Sequence, residues 1–235
     1  MNFIDGKRIL ITGGTGSLGK VLLRRLLSGA DGEPTQIVVF SRDEAKQHDL
    51  RISYEHKRSA TDEIIYNNFA RMLEFQIGDV RDERAVVRAL RGIDIVFHAA
   101  ALKQVPTCEY FPYEAVQTNI SGAENIVRAI NSGLASVETV VGISTDKAVK
   151  PVNVMGMTKS IQERIFSRAN LESDSARYVL ARYGNVLASR GSVIPLFHDQ
   201  IHNGGPITIT HPEMTRFLLS LDEAVDLILD AAANA

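Results

Sequence analysis

Three consecutive residues, Thr145-Asp146-Lys147, set a hydroxyl, a carboxylate and an ammonium side by side at the end of an apolar run. A general acid, a general base and a cation near a developing oxyanion can all be drawn from such a set. The plain alternative is that Asp146 caps a turn and Lys147 is solvated. Further on, Met155 and Lys159 stand four residues apart, which puts them on one face of a helix. A thioether has no exchangeable hydrogen, so Met155 can neither give nor take a proton.

A second group lies near the start of the chain. Thr12-Gly13-Gly14-Thr15-Gly16-Ser17-Leu18-Gly19 spaces glycines at 13, 16 and 19 between a strand-like run and a helix-like one. Absent side chains let the backbone approach a pyrophosphate, and a helix N-terminus favours the anion. Glycines also serve ordinary turns, but the strand–turn–helix setting favours a dinucleotide held by Gly13, Thr15, Gly16, Ser17, Leu18 and Gly19. The residue that reads the adenosine ribose is expected about 20 residues further on. Phe40-Ser41-Arg42-Asp43 stands there, with Lys46 one turn later. Ser41, Arg42 and Lys46 suit a 2′-phosphate, so NADP is expected ahead of NAD, while Asp43 counts the other way. Gly78-Asp79-Val80 ends another run, where Asp79 either accepts from an adenine amino group or caps a turn.

The elements that position these residues alternate. Strands are expected at 8–12, 36–41, 72–77, 93–99, 139–144 and 178–183. Helices are expected at 18–28, 44–57, 83–91, 113–132, 154–169 and 221–233. Runs such as IVVF and DIVF are apolar without alternation, as in strands covered on both faces. The expected fold is therefore α/β, a doubly wound parallel sheet of Rossmann type with helices on both faces. Residues 1–184 form its dinucleotide-binding domain. Residues 185–235, rich in Gly and Pro up to 212, form part of a substrate lobe packed on it.

Composition narrows the function classes. Of 235 residues, 45% are hydrophobic and 23% charged, the globular range. A formal charge of −2 gives no general attraction to nucleic acid or anionic membrane. No run reaches the ~20 apolar residues of a spanning helix. Cys108 is the single cysteine, so no intrachain disulfide forms, which fits a reducing, cytoplasmic setting. His198 and His202 stand at i and i+4, but the residue after the first is Asp199, not the Glu of a zinc protease, and no metal is expected. His98 at a strand end reads as structural.

Several spaced segments carry a resemblance. His98-Ala99-Ala100-Ala101-Leu102-Lys103-Gln104-Val105-Pro106, Ser144-Thr145-Asp146-Lys147-Ala148-Val149, Arg182-Tyr183-Gly184-Asn185-Val186, Ser189-Arg190-Gly191-Ser192-Val193-Ile194-Pro195 and Met214-Thr215-Arg216-Phe217 follow the glycine loop in order. Together they resemble the UDP-N-acetylglucosamine 4,6-dehydratases, extended short-chain dehydrogenase/reductases of bacterial surface-polysaccharide and flagellin-sugar biosynthesis. The Tyr-x-x-x-Lys usual in that family is Met155-Gly156-Met157-Thr158-Lys159 here, as in one known branch. The chain also ends at Ala235, where such relatives continue.

The resemblance implies oxidation at C4, loss of the C5 proton, departure of the C6 hydroxyl and return of hydride at C6, with or without inversion at C5. It makes Asp146 the acid toward the C6 hydroxyl and Lys147 the C5 base. Lys159 would hold the nicotinamide ribose, with Ala99, Ala100, Ala101 and Lys103 beside the cofactor. The group that deprotonates the C4 hydroxyl stays open among Thr145, Asp146 and a water. Lys103, Asn185, Arg190 and Arg216 are candidates for the UDP-sugar, the arginines through bidentate contacts to its pyrophosphate. Surface or structural roles remain the alternatives for Lys103 and the arginines. Pairing of copies through the helices at 113–132 and 154–169 is also implied. Two other functions stay open: a dinucleotide-binding module without catalysis, and a sugar-nucleotide epimerase.

Overall fold

The computed structural model describes residues 2–55, 63–187 and 193–235. Six strands form one parallel sheet: β1 (Arg8–Thr12), β2 (Gln36–Ser41), β3 (Leu73–Ile77), β4 (Ile95–His98), β5 (Thr139–Thr145) and β6 (Arg177–Tyr183). Their order is β3-β2-β1-β4-β5-β6, so the chain reverses direction of travel between β1 and β4. That doubly wound arrangement is the Rossmann type expected from the sequence. Ligands in such sheets sit beyond the carboxyl ends of the strands at this reversal.

Both faces of the sheet are apolar because both are covered. Ile9, Ile11, Ile37, Val39, Phe97 and Val141 point into one core. Their immediate neighbours Leu10, Val38, Phe40, Val96 and Val140 point into the other. The first core packs against α1 (Ser17–Leu27), α2 (Glu44–Glu55) and α3 (Glu63–Met72). The second packs against α4 (Glu83–Ala89), α7 (Gly122–Asn131) and α8 (Val154–Glu172). Burying one such aliphatic side chain contributes roughly 1.5–3 kcal/mol, so the alternation fixes each strand's register firmly.

Three differences from the sequence reading have physical causes. Met72 finishes α3 instead of opening β3; Ile65, Phe69 and Met72 follow helical spacing, and Phe69 stacks on Tyr54 at 5.4 Å. Residues 104–110, given no element above, hold α5 (Val105–Tyr110), which Pro106 helps to start because its missing N–H needs no partner there. The long helix expected at 113–132 is broken into α6 (Pro112–Ala115), a π-helical stretch (Val116–Ser121) and α7. The last two residues of the helix expected at 44–57 lie outside the described residues.

Beyond β6 the chain forms β7 (Asn185–Val186), α9 (Val193–His202), β8 (Leu218–Leu219) and α10 (Leu221–Ala233). β7 and β8 pair in parallel as a small second sheet. A capping box between Ser220 and Glu223 starts α10. Although α10 follows residue 184, its Val225, Ile228, Leu229 and Ala232 belong to the first core. Among the described residues, no helix is long and apolar enough to cross a membrane.

Candidate active site

One cavity of about 620 Å³ runs from the glycine loop, across the carboxyl ends of the strands, to β7. That is the size range of cofactor and small-molecule clefts. Gly13, Thr15, Gly16, Ser17, Leu18 and Gly19 line one end of it. Gly13 has φ +70°, and a Cβ there would come 2.8 Å from the backbone nitrogen of Ala100. No L side chain fits both the conformation and the space. Gly16 caps α1 with no side-chain hydrogen bond, so the helix start is shaped for a ligand anion. These features fit a dinucleotide pyrophosphate.

Ser41, Arg42, Lys46 and Val80 line the adjoining wall. Gln47 Nε2 donates to the Ser41 hydroxyl (2.9 Å) and carbonyl (3.1 Å), which fixes the end of β2. The two cations are not alone. Lys46 pairs with Asp43, and Arg42 Nη1 lies 3.6 Å from Asp79. Asp79 stands behind the wall, where Arg81 grips its carboxylate at 2.7 Å. Burial pushes the Asp79 carboxyl up, but the Arg81 hydrogen bonds and the Arg42 charge outweigh it and hold it below the usual range. Ala99, Ala100 and Ala101 follow β4 along the cavity. Lys103 is exposed at its mouth, yet covered enough that desolvation lowers its amine.

The other end is built from side chains. Thr145, Lys147, Met155, Lys159 and Asn185 converge there from β5, the 3₁₀ turn Asp146–Ala148, α8 and β7. Thr145 Oγ1 donates to Asp146 Oδ1 at 2.9 Å. Lys147 Nζ donates to the same oxygen and to Asn185 Oδ1, both at 3.0 Å. Asp146 therefore sits just behind Thr145 and Lys147. Burial raises its carboxyl, while the Lys147 and Thr145 hydrogen bonds lower it further, so the carboxylate form is favoured. Gly156 lets α8 press on this turn, since a Cβ there would fall 2.3 Å from the Lys147 carbonyl oxygen.

Lys159 is buried, 6% exposed. Its Nζ donates to the Ile143 carbonyl (2.7 Å) and Gln162 Oε1 (2.8 Å). Desolvation brings it down to about 8, against a smaller opposing pull from Glu163. Glu163 is engaged elsewhere, with Ser144 and Arg182.

Other residues hold the site without announcing themselves in the sequence. Asn119 accepts from Leu102 N (2.8 Å) and donates to Leu102 O (3.0 Å) and Thr158 Oγ1 (2.9 Å). It thereby clamps the loop after β4 to α8, and the π-helical stretch supplies the turn that points it inward. Gln162 and the Glu163–Arg182 pair were missed too. The sequence signal for Gln162 and Glu163 is a polar residue at a buried helical position, whereas Arg182 lies half exposed on β6. His98 is fully buried, bonds Thr12 through Nδ1 at 2.9 Å, and is pushed by burial down to about 3, so it is a neutral structural residue. His198 and His202 are exposed on α9, and no group of three metal-ligating residues occurs among the described residues. Arg216 is exposed, away from the cavity wall, and bonds the Thr215 carbonyl. Arg190 lies outside the described residues.

A family model described as polysaccharide biosynthesis protein matches residues 9–235. The chain belongs to that family. Similar proteins include ones of Rickettsia conorii and Rickettsia akari, each named UDP-glucose 4-epimerase. Each is 48% identical over 97% of this chain. The chain spans 63% of the length of these relatives. Among solved structures, Pen from Bacillus thuringiensis is 38% identical with a TM-score of 0.88, covering 99% of this chain and 67% of its own. DesIV of Streptomyces venezuelae, a dTDP-glucose 4,6-dehydratase with NAD and TYD bound, is 23% identical with a TM-score of 0.78. The match covers 96% of this chain and 72% of DesIV, and it shows a shared fold.

Proposed function

We propose that the chain modifies the hexose of a UDP-sugar through oxidation at C4, in the biosynthesis of a surface polysaccharide. In this proposal the net reaction is 4,6-dehydration of UDP-N-acetylglucosamine. A nicotinamide dinucleotide, NADP ahead of NAD, lies along the cavity from the glycine loop, and when bound it takes a hydride from carbon and returns it. The observation that carries the reading is the continuity of that cavity with the hydrogen-bonded run Thr145–Asp146–Lys147–Asn185.

Asp146 and Lys147 rest as an ion pair, the reverse of the forms dehydration needs. One proton moving along their 3.0 Å hydrogen bond leaves an amine and a carboxylic acid. The Lys147 amine then takes the C5 proton, Asp146 protonates the departing C6 hydroxyl, and Lys147 returns a proton to C5 once hydride has reached C6. Asn185 keeps Lys147 Nζ in place during the exchange. Lys103 at the cavity mouth neutralises a substrate or cofactor diphosphate. Asn185 and Val186 of β7, which line the same cavity, border the sugar. Pairing of copies through α6–α7 and α8 belongs to the same proposal, since Tyr113, Met157 and Ile161 stand exposed on those helices.

Epimerisation at C4 is the second reading, favoured by the names of the Rickettsia relatives. It needs the same oxidation but neither an acid at C6 nor a base at C5. Mass spectrometry of UDP-N-acetylglucosamine incubated with the protein and NADP⁺ separates the two. Dehydration gives a product lighter by one water; an unchanged mass with a new sugar isomer supports epimerisation and contradicts dehydration.

A further inference from the structure

A recess of about 480 Å³ opens beside β6. It shares no lining residue with the cavity described above. Its walls come from residues 148–151, which follow directly on Asp146 and Lys147, and from α8 and β6. On α8, Ser160, Glu163, Arg164 and Ser167 face it at helical spacing.

The charge of the recess is unlike that of the chain. Lys150, Arg164 and Arg182 line it against one carboxylate, Glu163, although the chain as a whole carries −2. That carboxylate is already spent. It accepts Nε and Nη2 of Arg182 at 3.0 and 2.5 Å, and the Ser144 hydroxyl. Arg182 is thereby held in one orientation, with Nη1 bonded to nothing among the described residues. Lys150 and Arg164 have no hydrogen-bond or ion-pair partner among the described residues. One turn further along α8, by contrast, Arg168 is paired with Glu172 at 2.8 Å.

The backbone is unusual at the same place. Lys150 has φ +53°, the one positive φ of a non-glycine residue among those described. Left-handed backbone is unfavourable for a side chain that cannot bond back to its own peptide groups. Pro151 restricts the residue before it further. Strain of this kind collects at binding and catalytic sites, where the surrounding structure holds it. Here it accompanies a lysine in the wall of a recess that already holds two arginines.

We propose that the recess binds a phosphate-bearing anion, held by Lys150, Arg164 and the free Nη1 edge of Arg182. A phosphoryl group takes several charge-assisted hydrogen bonds at once, and a pre-oriented guanidinium suits it. Ser160 and Ser167 add hydroxyl donors along α8. Val149 and Leu180 give an apolar wall, and the volume is in the range of small-molecule sites, so the phosphate can carry a sugar or a nucleoside. The site is independent of the reaction assigned to the first cavity and stands whether that reaction is dehydration or epimerisation.

Amide NMR of the full chain tests the proposal without reference to turnover. Inorganic phosphate and glucose 1-phosphate are titrated separately at constant ionic strength. The expected result is saturable shifts at the amides of Lys150, Arg164 and Ser167 at millimolar probe or below. Lys150→Ala combined with Arg164→Ala should weaken that binding by about tenfold or more, since each removes a charged hydrogen bond. Both side chains are exposed, so the double variant keeps the fold. Tighter binding of glucose 1-phosphate supports the site as one for an organic phosphate, and equal affinities support it as one for the free anion. Shifts confined to Gly13–Ser17 place the anion on the glycine loop and overturn the proposal. So does an absence of shifts with both probes, or a double variant that binds as the parent does.

Discussion

The two ends of the cavity are made in opposite ways. At the dinucleotide end the walls are backbone and absent side chains, and the cations Arg42 and Lys46 are about half exposed beside Asp79 and Asp43. At the reacting end the walls are side chains from four elements, and Lys159 is buried with no carboxylate bonded to it. Exposed charges in water interact weakly and can tune only affinity. A buried amine has its proton affinity changed, which is what proton transfer requires. Substitutions at the two ends should therefore fail differently, one in binding and the other in turnover.

The largest contrast is expected from Lys147→Ala, which removes the C5 base and leaves the glycine loop intact. Turnover to product should fall by about a thousandfold or more, the upper range for a general base, with NADP⁺ affinity unchanged by calorimetry. Loss of NADP⁺ binding in that variant would erase the distinction between the ends. Gly13→Ala is the mirror case. Its positive φ costs about 1–2 kcal/mol, and the methyl group collides with Ala100, so dinucleotide affinity should drop at least tenfold.

These two ends were not equally legible. The glycine loop could be read because its mechanism is local: glycine spacing, a strand before it and a helix after it. The Thr145–Asp146–Lys147 run was legible for the same reason, since three neighbours carry the chemistry. Asn119 and the Glu163–Arg182 pair were not, because each acts across a long sequence separation and only packing brings them in, and Gln162, one turn from Lys159, was not because only burial of that helical face gives its bond meaning. The π-helical stretch at 116–121 was hidden by an unbroken helical pattern. The parallel sheet was visible in strands apolar on both faces, whereas α3 was lost because a strand was expected to start at its last residue, Met72.

Smaller effects sharpen the comparison. Glu163→Gln weakens the grip on Arg182 and Ser144 without touching the cavity. Burial raises the Glu163 carboxyl, but Arg182 and Ser144 outweigh it, so the folded group titrates below the unfolded one. The pair thus adds stability above the unfolded carboxylate range, and that stability is lost as pH falls through the lower, folded value. The variant should be less stable at pH 7 by on the order of 1 kcal/mol, Arg182 being half exposed. The difference should shrink as the pH falls through the lowered, folded range, as read by urea unfolding at pH 7 and at a series of acid pH values. Arg42→Ala should do least: about a tenfold loss of preference for NADP⁺ over NAD⁺ by calorimetry, with turnover at saturating dinucleotide unchanged. An equal loss for both dinucleotides would remove Arg42 from reading the 2′-phosphate.

The central claim is that the side-chain end of the cavity performs acid–base chemistry beyond C4 oxidation. Proton NMR of the protein with NADP⁺ and UDP-N-acetylglucosamine in D₂O tests it most directly. The account predicts a new C6 methyl signal with deuterium at C5. A C4 epimer with an intact C6 hydroxymethyl group and hydrogen at C5 would contradict it.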